Sequence, residues 1–209
     1  MVSLKPNGFQ ITLPDWWPPT FNESKNFILG MQEVVEDIYM ILYNPPHAKV
    51  LLSLEEISLL KQSVQNLVGI KCAGGDEQWY SQRRELLDDF SVFVPGHTVV
   101  YGKPLGANGS YSNVACLSPN GAVKIWDLIE KDYEKAKQLE AKVLNFMKQH
   151  ILPFANKLSN TGLDKLLASV GGWGPVSEKV LWPYDGATAE DVKKIKIHAN
   201  NELEEILNV

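Results

Sequence analysis

Cysteine is scarce. Cys72 and Cys116 are the only two in 209 residues, too few for a disulfide framework and in keeping with a reducing compartment. Both read as small core or near-site residues. Long apolar runs are missing too: none approaches the roughly 20 residues that a membrane-spanning helix needs. The opening stretch, Met1-Val-Ser-Leu-Lys-Pro6, has no apolar run after its lysine and does not read as a signal peptide. A cytoplasmic protein with no membrane partner is therefore expected. Positive charge is not in excess. The net charge is −5 and no basic patch stands out, which argues against a nucleic-acid partner. The four histidines, His47, His97, His150 and His198, show no ligand spacing, so no metal site is expected. There is no linker, no low-complexity segment and no sequence self-similarity.

What is present is strand–helix alternation. Short segments at residues 8–13, 37–43, 67–71, 91–95 and 110–115 read as strands. Between them lie helical patterns: one capped by Asn22 or Ser24, one opened by the capping box Ser53-Leu-Glu-Glu56, one from about residue 76 to 87, and a short one from about His97. After Ser118-Pro119 the chain reads as mostly helical, and Thr188-Ala-Glu-Asp191 caps a final helix. Near-continuous apolar strands alternating with helices predict a parallel sheet with helices outside. The expected division places a partial barrel in residues 1–118, and the last barrel helix with a helical extension in 119–209.

The stretch richest in chemistry is Leu67-Val-Gly-Ile-Lys71-Cys-Ala-Gly-Gly75. It puts Lys71 at the carboxyl end of a buried strand, where parallel α/β proteins carry their active groups. A lysine amine is protonated at neutral pH; burial disfavours the charge and would free the amine for attack on a ketone. The alternative is a strand-end lysine that snorkels to water. Tyr43 ends the preceding strand, and adjacent strands lie about 4.8 Å apart, so both side chains are expected in one pocket with the phenol as a proton shuttle. The alternative there is an aromatic that caps the core. Gly74, Gly75, Gly96 and the segment 106–109 follow strands and offer backbone N–H groups to a carboxylate or, more weakly, to a phosphate; ordinary turns need glycine as well. Asp15, Trp16 and Trp17 follow the first strand and line either a pocket or a subunit contact.

Taken together, Ile-Leu-Tyr43-Asn44-Pro-Pro, Leu-Val-Gly-Ile-Lys71, Val-Pro-Gly96-His and Gly106-Ala-Asn-Gly-Ser-Tyr111 resemble the dihydrodipicolinate synthase / N-acetylneuraminate lyase family over nearly the whole chain. The resemblance implies a (β/α)8 TIM barrel with extra C-terminal helices, here an incomplete barrel of about five βα units. It implies a class I lyase or aldolase acting on pyruvate or a related 2-oxo acid, with no cofactor, in a homo-oligomer. Lys71 would form the Schiff base and Tyr43 would move protons; Tyr111, Gly96 and Asn44 would contact substrate. Three departures accompany the match. The chain starts where the family's fourth strand would be, without the glycine–threonine motif that holds the pyruvate carboxylate. Ala48 stands where synthases carry an arginine. Asp15-Trp16 stands where a tyrosine pair is usual. A different 2-oxo acid or sugar acid is the expected substrate. A fragment, a chain completed by another, and a truncated, non-catalytic binding or assembly subunit all fit these departures.

Overall fold

Five strands pair in chain order into one parallel sheet: β1 (Gly8–Thr12), β2 (Tyr39–Asn44), β3 (Leu67–Cys72), β4 (Ser91–Val94) and β5 (Gly109–Ser110). The structure is a computed structural model and describes residues 6–209. The opening residues that were read against a signal peptide lie, up to residue 5, outside the described residues. Helices α1 (Phe21–Val35), α2 (Leu54–Ser63) and α3 (Glu77–Leu86) make the first three crossovers. Sequential right-handed crossovers place such helices on one face of a sheet. The burial pattern agrees: Met40, Leu42 and Asn44 of β2 are buried while Tyr39, Ile41 and Tyr43 are not. One face is therefore a packed core and the other stays open. This is an incomplete (β/α)8 barrel, since five strands do not close the eight-stranded cylinder.

The helices begin where their caps dictate. Ser53 and Glu56 form the expected capping box. For α1 the cap is Thr20, not Asn22 or Ser24: the Glu23 amide donates to Thr20 Oγ1 at 3.3 Å, and the Glu23 carboxylate accepts the Thr20 amide at 2.7 Å. The expected fifth strand, 110–115, is also corrected. Only Gly109 and Ser110 pair with β4, opposite Phe93 and Val94. Val114–Leu117 is instead a helical turn, α5, preceded by a turn in which the Ala115 amide donates to Ser112 Oγ at 3.2 Å. A short hydroxyl-bearing run can satisfy its own backbone this way, so the strand has no reason to extend.

The chain divides into two compact units, one up to Val94 with Gly102–Tyr111, the other Pro95–Tyr101 with Ser112–Val209. The first holds the sheet. The second is helical: α5, α6 (Pro119–Lys131), α7 (Tyr133–Phe146), α8 (Asn160–Gly171), α9 (Ala189–Glu202) and α10 (Glu204–Leu207); α4 (Val99–Leu105) belongs partly to each unit. Within the second unit Ser118 caps α6 through the Gly121 amide and also donates to the Ile206 carbonyl at 2.8 Å, fixing α10 to the start of α6. Among the described residues no helix is long and apolar enough to cross a membrane.

Candidate functional site

The site begins with strand register. Tyr43 of β2 lies opposite Lys71 of β3, which lies opposite Phe93 of β4. Side chains opposite one another in a parallel pair share a face, and here it is the open one. Two glycines make room on it. A Cβ on Gly69 would come within 2.9 Å of the Ser91 carbonyl oxygen, and one on Gly109 within 3.0 Å of the Phe93 ring. The Phe93 ring meets Tyr111 edge-on at 5.4 Å.

Lys71 is half-buried between aromatic rings. Its Nζ lies 4.2 Å from the centroid of Tyr43 and 4.8 Å from that of Tyr111. Both fall within the roughly 6 Å over which a cation and a ring attract. The amine is thus set close to two phenol-bearing rings. The expected Tyr43–Lys71 juxtaposition is present. Tyr111, which follows β5 and is not part of it, joins it through its ring. Phe93, which orients Tyr111, had no signature in the sequence beyond its place in an apolar strand.

Asn44 goes elsewhere. It alternates with Tyr43 and lies buried on the opposite face, where its Nδ2 donates to the Leu52 carbonyl at 2.9 Å and its Oδ1 accepts the Leu52 amide at 3.1 Å. Its amide is spent on holding the β2–α2 loop, so it does not meet Lys71 and Tyr43. Gly96 lies in the second unit, at the start of a 3₁₀ turn (Gly96–Thr98), and is buried. A Cβ there would fall 1.9 Å from Ser112 Oγ and 3.0 Å from Ser112 Cα. Glycine at 96 is thus explained by close packing against Ser112.

Beside Tyr43 lies a cavity of about 210 Å³, bordered by Thr12, Asp15, Tyr43, His47, Ala48 and Lys49. His47 meets the Tyr43 ring edge-on at 6.3 Å. Lys49 is engaged by backbone: its Nζ donates to the carbonyls of Asp15 at 2.5 Å and Trp16 at 3.3 Å. It therefore anchors the β1–α1 loop, leaving His47 as the side chain of this loop that faces the tyrosine. Trp16 and Trp17 are exposed, by 93% and 78%, so they do not wall the cavity. A larger cavity of about 470 Å³ opens on the buried side near Asn44, Leu52, Cys72 and Trp79. Burial pushes the Cys72 thiol up to about 11, so its thiolate is scarce at neutral pH and this hollow holds no activated thiol.

Sequence spacing also concealed one cluster in the second unit. His150, His198 and Glu202 place donor atoms within 4.8 Å of one another, although the histidines are far apart in the chain.

The model of the dihydrodipicolinate synthetase family matches residues 7–198. Several solved structures share the fold. The 4-hydroxy-tetrahydrodipicolinate synthase of Methylacidiphilum fumariolicum SolV aligns with a TM-score of 0.79 at 20% identity, over 99% of this chain and 67% of that one. The N-acetylneuraminate lyase of Fusobacterium nucleatum aligns with 0.77 at 17% identity, over 96% of this chain and 67% of that one. YagE from E. coli, a prophage protein of the dihydrodipicolinic acid synthase family in complex with pyruvate, aligns with 0.76 at 19% identity, over 94% and 66%. The chain thus spans about two thirds of the length of these structures. No curated protein matches it.

Proposed function

Because the chain belongs to the dihydrodipicolinate synthetase family, we propose that it is a Schiff-base lyase or aldolase acting on pyruvate or a related 2-oxo acid, with Lys71 as nucleophile and Tyr43 as proton carrier. The observation that carries this reading is the placement of Lys71 Nζ 4.2 Å from the Tyr43 ring. The neutral amine adds to the keto carbon. The carbinolamine then loses water, its oxygen leaving with protons passed through the Tyr43 hydroxyl, and an iminium remains. Loss of a proton from the adjacent carbon gives an enamine, which attacks an aldehyde carbon to form the C–C bond; the reverse sequence cleaves it. Hydrolysis of the final iminium returns Lys71. The rings of Tyr43 and Tyr111 lie close to the amine at the open face, and the iminium, a cation, is attracted to them.

The cavity beside Tyr43 is where the second carbonyl compound would sit. Ala48 offers it no charge, and His47 offers a hydrogen-bonding ring, a pairing that suits a hydroxylated chain. The pyruvate bound in YagE supports a small 2-oxo acid as first substrate. On this reading the protein works in the cytoplasm as a homo-oligomer, and residues 119–209 supply the last barrel helix and a C-terminal extension.

Deuterium exchange tests the reading without knowledge of the second substrate. Pyruvate incubated with the folded chain in heavy water should lose its methyl proton signal through the enamine, and Lys71→Ala should remove the exchange. Exchange no faster than in buffer, or undiminished in Lys71→Ala, contradicts it.

A further inference from the structure

Helix α7 does not end in an ordinary turn. Its last residues widen into a π-turn, Met147–Ile151, with the Leu152 amide donating to the Met147 carbonyl. A π-turn adds a residue to the helical circuit and re-aims the side chains that follow, and such turns collect at functional sites. Here the re-aimed residue is His150, which is mostly buried, with a tilted contact to Phe146 at 5.1 Å. Opposite it, α9 presents His198 and Glu202, one turn apart on a single helix face.

The three side chains converge. His150 Nε2 lies 2.9 Å from Glu202 Oε1, and His198 Nδ1 lies 3.4 Å from the same oxygen. All three donor atoms lie within 4.8 Å of one another. The imidazole rings stack at 4.2 Å with an interplanar angle of 22°. Tetrahedral zinc, with bonds of about 2.0–2.2 Å, sets its donors roughly 3.3 Å apart. The two distances to Glu202 bracket that spacing. The His198 side chain is 53% exposed, so its ring has room to swing from stacking into coordination. An i, i+4 pair on one helix plus a third ligand from a second element is a chelate that pre-orders two donors before the metal arrives.

We propose that His150, His198 and Glu202 form a transition-metal site of the zinc type, which ties α9 to the π-turn at the end of α7. Two imidazoles and a carboxylate are borderline donors suited to Zn²⁺, with Co²⁺, Ni²⁺ and Cu²⁺ as competitors, and poorly suited to Ca²⁺ or Mg²⁺. Water completes the coordination from the exposed side of His198. The site lies within the helical unit and shares no residue with the Lys71 site, so its role is to brace the C-terminal helices.

Isothermal titration of the full chain with Zn²⁺ tests this. One equivalent should bind, the melting temperature should rise with metal concentration, and Co²⁺ should give the intense visible absorption of a tetrahedral centre. His198→Ala, at an exposed position, should fold normally and weaken binding at least about tenfold, as loss of a ligand implies; Glu202→Gln should do the same. Absence of stoichiometric binding overturns the proposal. So does binding that His198→Ala and Glu202→Gln leave unchanged, which would place the metal on other groups such as the thiols.

Discussion

At the residue scale the decisive pair is an amine and a phenol on neighbouring strand ends. In the proposed mechanism the Tyr43 ring and its hydroxyl do different things: the ring positions the lysine, and the hydroxyl moves protons. Tyr43→Phe separates them. The ring stays, so pyruvate should bind nearly as well, while exchange of its methyl protons should slow by about 10²–10⁴-fold. Equal loss of binding and rate would contradict the shuttle. Gly96 carries a different prediction. With a Cβ falling 1.9 Å from Ser112 Oγ and 3.0 Å from its Cα, Gly96→Ala should cost about 1–3 kcal/mol of stability by overpacking, measured by urea denaturation. An unchanged midpoint would contradict the packing account of Gly96.

Elements show what a linear reading can and cannot see. Ser53, Ser118 and Thr188 cap helices where the sequence predicts, because a cap is satisfied by residues three positions away. The Thr20–Glu23 box was equally local, yet its Thr20 closes the aromatic, proline-rich run 14–20. The strand expected at 110–115 failed for the opposite reason: strand length depends on a partner, and β4 ends at Val94. Tyr43 facing Lys71 was legible because register follows from two strand ends. Asn44, one step along the same alternation, turns its side chain toward the helices and bonds Leu52. The ring of Tyr111 over Lys71, and the meeting of His150 with His198, depend on packing between distant segments and leave no local trace. Helix α10 offers a test at this scale. Glu205 accepts from Lys135 and from Lys142 of α7, the latter at 2.6 Å, and the lysines hold its carboxyl down to about 2 from an ordinary 4.5. A depressed acid stabilises the fold above its unfolded value, so this contribution is full above about pH 4.5 and fades as pH falls toward 2. Glu205→Gln should therefore lower the melting temperature slightly at neutral pH and not at all near pH 2. A shift of equal size at both would show that the ion pairs play no part. The side chain is partly exposed, so salt should shrink the effect.

For the whole molecule, the arrangement that matters is a sheet with one face packed and one face open. The packed face holds Met40, Leu42, Ile70, Val92 and Val94, and its burial stabilises the sheet without the other side. The open face can therefore carry a half-buried lysine and its aromatic neighbours at the carboxyl ends of the strands, where βα loops are free to vary. Strands β1 and β5 are the sheet's edges. β5 is short and β1 brings Gln10 and Thr12 to the open side, features that blunt edge pairing. The proposed chemistry at Lys71 thus rests on a scaffold fixed by its packed face. The most direct test is borohydride trapping. The folded chain, incubated with pyruvate, reduced and digested, is examined by peptide mass spectrometry. A reduced pyruvyl adduct on the peptide containing Lys71, absent from Lys71→Ala, is the predicted result; no adduct, or an adduct spread over surface lysines with Lys71 unmodified, contradicts it.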